Sequence, residues 1–148
     1  MSTFLLDVNV LLAMAWPEHD FYAPAKRWFI HRRGQSWATC PLTEAGFVRL
    51  SARSQVVRLK PAIADAISAL EDNRADPDHV FWPQDSSLPE LLPEIRARLF
   101  GHQQISDALL LDLAIRRGGI FVTLDQRIPN LLPLNSPHRA AIEIIPAP

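Results

Sequence analysis

A chain of 148 residues with a formal net charge of -1 suits one domain over residues 1–148 with a real core, and argues against tandem domains. So balanced a charge removes an overall basic field as a sign of a nucleic-acid partner, although charge can still divide locally between an acidic cleft and a basic rim. The lone Cys40 excludes an internal disulfide framework, no apolar run approaches the roughly 20 residues of a membrane span, and no signal-peptide pattern opens the chain, so a cytoplasmic location without membrane contact is expected.

Residues 3–6 read as a short buried strand ending at Asp7, followed by a helix over residues 8–15 that Pro17 should terminate. A second helix is expected over residues 21–33, with Ala25, Trp28 and Phe29 at helical spacing and Gly34 as its stop. Residues 36–39 suit a strand. Pro41 then fits the first turn of a third helix carrying Glu44, Phe47, Val48 and Leu50, before a basic stretch with Arg49, Arg53, Arg58 and Lys60. A helix over residues 61–73 should bury Ile63, Ala66, Ile67 and Leu70, and a brief strand is expected at residues 79–82. Ser87 and Glu90 have capping-box spacing, but Pro93 splits residues 88–99 into two short pieces. Ser106 is placed to cap a buried helix that Gly118 and Gly119 end, with strands following at residues 120–123 and 142–145. Strands alternate with helices throughout. That pattern predicts an α/β fold, a three-layer α/β/α sandwich on a central parallel sheet.

Four carboxylates, Asp7, Glu44, Asp107 and Asp125, fall at predicted strand ends or helix starts. In a parallel sheet these positions share one edge, where ligands bind. Singly, each has an ordinary explanation as a helix cap, a helix-dipole partner or a turn residue. Together they would repel: two unit charges about 4 Å apart cost about 4 kcal/mol at an effective dielectric of about 20. A hard divalent cation resolves that conflict, and all-oxygen ligation favours Mg²⁺ or Mn²⁺ over zinc.

The chain resembles the PIN-domain ribonucleases, and within them the VapC-type toxins of type II toxin-antitoxin pairs. The resemblance is carried by Leu5-Leu6-Asp7-Val8-Asn9-Val10-Leu11, by Cys40-Pro41-Leu42-Thr43-Glu44-Ala45-Gly46-Phe47-Val48-Arg49-Leu50, by Ile105-Ser106-Asp107-Ala108-Leu109-Leu110 and by Thr123-Leu124-Asp125. It implies that Asp7, Glu44, Asp107 and Asp125 hold Mg²⁺ or Mn²⁺ and that water is activated for attack on an RNA phosphodiester. It further implies a translation-silencing endoribonuclease, a homodimer, a VapB-like antitoxin whose C-terminal segment occupies the groove beside the acids, and an RNA substrate for which tRNA and rRNA are both candidates. Asp7, Glu44 and Asp107 are expected as the inner group, with Asp125 as a fourth acid that binds the metal, directly or through water, or positions the attacking water.

Asn9 suits either a helix-capping amide or a partner that orients a carboxylate, and Thr123 suits a structural strand position better than a role beside Asp125. Asp112 is set aside, because five residues rotate a helix position by about 140° from Asp107. His19, His31, His79 and His102 lack a motif context, and Trp16, Trp28, Trp37 and Trp82 suit core or interface better than base stacking. Arg49, Arg53, Arg58 and Arg127 are candidate phosphate contacts. The alternatives are a catalytically silent PIN-like module that binds RNA or protein, and a phospho-acceptor receiver domain. The receiver reading fails on a missing acidic pair at Asp7 and on Lys26 and Lys60, neither of which follows a strand.

Overall fold

The computed structural model describes residues 2–53 and 61–148, so Arg58 and Lys60 lie outside the described residues. Within them, strands β1 (Phe4–Leu6), β2 (Trp37–Thr39), β3 (His79–Phe81), β4 (Ile120–Thr123) and β5 (Ile142–Ile144) form one parallel sheet in the order β3-β2-β1-β4-β5. The chain proceeds outward from β1 on one side and returns to its other side with β4. The order therefore reverses between β1 and β4, and the crevice at their carboxyl ends is where a ligand of such a sheet binds.

The period of two along the strands sorts the core into two layers. Leu5, Ala38 and Phe121 point to one face, where they meet Ala108, Leu110, Leu111, Leu113 and Ala114 of α6 (Ile105–Arg116) and Ile95 of α5 (Pro93–Arg96). Phe4, Leu6, Trp37 and Val122 point to the other, against α1 (Val8–Ala15), α2 (Tyr22–His31), α3 (Pro41–Ser51) and Leu70 of α4 (Ile63–Arg74). The expected three layers are present. All four tryptophans serve packing: Trp28, Trp37 and Trp82 are buried, and Trp16 stacks on Phe47 while donating to the Ser51 hydroxyl.

Two glycines shape the site's surroundings. A Cβ at Gly46 would lie 2.6 Å from Val8 Cγ2, so only glycine lets α3 settle on α1 next to Asp7. Gly118 has φ +64°, the left-handed conformation that closes α6 after Arg117 and turns the chain into β4.

Two expectations need correction. The α4 face is narrower than its spacing implies: Ala66 and Leu70 are buried, whereas Ile63 and Ile67 are 61% and 43% exposed, because among the described residues α4 packs mainly on α3 and the outermost strand β3. Ser106 does not cap α6. The helix begins at Ile105 behind a 3-10 turn at His102–Gln104, and the exposed Ser106 lies inside its first turn. The split around Pro93 is present, as a 3-10 turn at Leu88–Glu90 and then α5.

Asp112 illustrates a buried acid with a structural task. At 1% exposure it accepts the Leu92 N–H at 2.9 Å and the Arg116 Nε–H at 2.7 Å, tying α5 to α6 on the side away from the other acids. Asp112→Ala should lower stability by about 1–3 kcal/mol, since it orphans a backbone donor. Urea unfolding measures this, and a midpoint equal to wild type would refute it.

Candidate active site

Asp7 ends β1 and caps α1, its Oδ1 accepting the Val8 N–H at 2.7 Å. Its Oδ2 accepts the hydroxyl of Thr123, the last residue of β4, at 2.7 Å. The carboxyl is pushed up to about 6, first by burial, while the Thr123 and Val8 hydrogen bonds pull it down and Asp125 adds to the rise. The Thr123 oxygen also accepts the Asp125 N–H at 3.0 Å. Asn9, in α1, reaches the same end of β4: its Nδ2 donates to Thr123 Oγ1 at 3.4 Å and its Oδ1 accepts the Leu124 N–H at 3.2 Å. Asn9 is thus a stitch between α1 and the end of β4, and it leaves the capping task to Asp7. Thr123 is structural in the strict sense, but what it holds in place is Asp7 and Asp125.

Asp107 lies in the first turn of α6, half-buried, and its carboxyl is pushed up to about 7. Burial is the largest cause, followed by the charges of Asp7 and then Asp125, with Arg127 opposing them. Asp125 behaves differently. Arg127 grips it through Nε to Oδ1 at 3.0 Å and Nη2 to Oδ2 at 2.9 Å, with its backbone N–H adding a third bond to Oδ1 at 2.9 Å. These bonds hold the Asp125 carboxyl below its ordinary range.

Glu44, near the start of α3, points into another polar chain. Its Oε2 accepts the Thr39 hydroxyl at 2.6 Å, and its Oε1 lies 3.6 Å from Arg74 Nη1. Thr39 has one hydroxyl hydrogen and spends it on Glu44, so the 2.8 Å contact with His79 Nε2 makes His79 the donor. Burial, then Arg74, lowers the His79 pKa. No basic residue adjoins Glu44 in sequence, but Arg74 does in space. The structure thus brings Asp7, Asp107 and Asp125 into electrostatic contact, and Glu44 is not among the principal charges on Asp7 or Asp107.

Among the described residues, no three His, Cys, Asp or Glu side chains stand close enough to form a ready-made metal cage. The donor chemistry nevertheless fits a hard cation: the clustered groups offer oxygen alone, and two carboxyls are held above their ordinary range by burial and mutual repulsion. Beside Asp107 and Asp125 lies a cavity of about 300 Å³, between residues 101–104 and the turn beginning at Arg127. Arg49 is in the last turn of α3 and Arg53 just beyond it, more than a helical turn from Glu44, so of the described basic candidates Arg127 is the one at this edge. His19 is taken up locally, its Nδ1 accepting the Phe21 N–H at 3.0 Å.

Residues 4–131 match the model of the PIN domain family. The chain is 42% identical over 123 residues to ribonuclease VapC39 of Mycobacterium tuberculosis, covering 83% of this chain and 88% of that protein. It is 45% identical over 121 residues to ribonuclease VapC38 of the same organism, covering 82% and 84%. Its architecture is similar to VapBC2 of Rickettsia felis, solved bound to a DNA fragment from its promoter, with a TM-score of 0.61 at 15% identity over 96% of this chain and 98% of that one. It is also similar to VapC20 of Mycobacterium tuberculosis, a toxin that cleaves the sarcin-ricin loop, with a TM-score of 0.57 at 14% identity over 78% and 84%.

Proposed function

The chain belongs to the PIN-domain family, among the VapC ribonucleases, and from that membership we infer that it is an RNA-cleaving hydrolase, the toxin of a toxin-antitoxin pair. We further propose that cleavage depends on Mg²⁺ or Mn²⁺. The observation that carries this is the assembly of Asp7, Asp107 and Asp125 at the switch point of the sheet, where Asp7 and Asp107 are raised to about 6 and about 7. Asp7 and Asp107 would hold the ion directly. Asp125, with both oxygens on Arg127, would act through an intervening water, and Glu44 would join by leaving Arg74 while Thr39 keeps its other oxygen. When bound, such an ion lowers the pKa of water and offsets charge developing on phosphate oxygens. The chain's own share is to fix the acids: Thr123 ties the end of β4 to Asp7, Asn9 ties α1 to the same end of β4, and Gly46 seats α3 beside them.

RNA incubated with the protein and Mn²⁺ should be cut internally, and EDTA or Asp7→Asn should abolish the cutting. Cleavage that persists in EDTA and in Asp7→Asn would sink the metal-dependent reading. RNA binding by wild type with no turnover in any divalent metal would instead favour a silent module.

The partners in this reading are a VapB-like antitoxin, whose tail covers the acidic edge, and an RNA target, with tRNA and rRNA both candidates. A homodimer completes it. Exposed apolar side chains on α4 (Ile63, Ile67) and on the outermost strand β3 (Val80, Phe81) supply uncovered surface for a second copy. Light scattering should give twice the chain mass, and a monomer at micromolar concentration would remove this part. No described helix is long and apolar enough to cross a membrane.

A further inference from the structure

The cavity beside Asp107 and Asp125 has a wall that the acid cluster does not use. Residues 101–104 form one side, with His102, Gln103 and Gln104 supplying polar groups, and Arg127, Ile128 and Asn130 line the other. The Arg127 guanidinium is 78% exposed and spends Nε and Nη2 on Asp125, so Nη1 has no partner among the described residues. A planar cation is thereby held at a fixed angle over the acidic edge. Directly before this wall comes Phe100, 89% exposed. Its backbone is not loose: the N–H groups of Phe100 and Gly101 both donate to Gln104 Oε1, at 2.8 and 3.0 Å.

A single exposed aromatic is unremarkable on a protein surface. Here it immediately precedes Gly101, the first residue of a cavity walled by amide and imidazole groups and bordered by an oriented cation and the acidic edge. An unpaired nucleotide offers the matching set, namely a π-face to stack, a base edge to hydrogen-bond and a phosphate to pair with arginine. We propose that this cavity seats one unpaired nucleotide next to the scissile phosphate, with Phe100 stacking on its base and Arg127 binding its phosphate. The assignment rests on the ribonuclease reading. Neither residue takes part in bond breaking; both bind and place the strand.

The test uses short single-stranded RNAs with 2-aminopurine or an abasic site at each position in turn, bound in EDTA so that the strand stays whole. Phe100→Ala should weaken binding about 5- to 150-fold, the cost of losing one base stack. Phe100→Trp should restore the affinity. At one position 2-aminopurine fluorescence should be quenched by wild type and not by Phe100→Ala, and an abasic site there should erase the difference between the two proteins. Arg127→Ala should reduce the slope of log Kd against log salt by about 0.7, the loss of one phosphate contact on a single strand. Unchanged affinity in Phe100→Ala, or a penalty that persists on every abasic RNA, overturns the proposal. Cleavage in Mn²⁺ separates the two readings. Phe100→Ala that cuts RNA with wild-type KM keeps the nuclease and removes the subsite, whereas position-specific quenching by a wild type that never cuts keeps the subsite and removes the nuclease.

Discussion

Asp107→Asn should cost RNA cleavage at least about a hundredfold, the order lost when one preorganised electrostatic group is removed from a reaction centre, and should at the same time stabilise the metal-free protein. The two effects have one origin. Asp107 is half-buried beside Asp7 and Asp125, and its raised carboxyl records how unwelcome a negative charge is there without a cation. An amide keeps the shape and removes the repulsion. In EDTA at about pH 8 the variant's melting temperature should exceed wild type by about 2–4 °C for each kcal/mol relieved in a chain of this size. Mn²⁺ at 100 times its dissociation constant should stabilise wild type by about 2.7 kcal/mol, and that gain should vanish in the variant. A variant that is inactive but also less stable in EDTA would show that Asp107 supports the fold instead of straining it.

Thr123→Val should shift the acid limb of the cleavage profile upward by about one pH unit, the equivalent of one charge-assisted hydrogen bond. Asp7 is raised from 3.8 to about 6 although the Thr123 hydroxyl pulls it down, so deleting that hydroxyl raises it further. Activity should therefore fall more at about pH 6 than at about pH 8, and an equal loss at both would refute the link. The sign for stability is opposite. Carboxyls raised in the fold keep protons that the unfolded chain has released, so the contribution of Asp7 and Asp107 is whole below pH 3.8 and is lost as pH rises through about 6 and about 7. Metal-free protein should weaken across that interval while Mn²⁺ affinity increases, because the ion displaces the same protons. Asp125 is lowered, so its contribution is lost only as pH falls below the ordinary carboxylate range, outside this window.

Local signals carried much of the fold. Asp7 marks the boundary between β1 and α1, Pro41 the start of α3, Gly118 the end of α6 and Pro93 the break before α5, since each acts through its own backbone geometry. The same signals place Asp7, Asp107 and Asp125 at one edge. Contacts across the chain were not legible. Arg74 reaches Glu44 from the far end of α4, and His79 reaches Thr39 from a neighbouring strand, neither with a spacing that a sequence pattern encodes. The hydroxyl of Thr123 leaves no mark in the sequence, because a β-branched residue in a strand looks complete without it. Ser106 suggested a cap by residue type, yet Gln104 fixes the preceding turn from its side chain and α6 starts one residue earlier than Ser106.

The bond between Thr123 and Asp7 joins residues 116 positions apart. Asp7 is synthesised early, but its strand lacks one neighbour until β4 has been made, because β1 is sandwiched between β2 and β4. Contacts of such long sequence separation form late and slowly. A nascent chain thus carries its first carboxylate through most of its own translation without the partners that would arm it. Asp7 meets the Thr123 hydroxyl only once most of the chain has emerged from the ribosome.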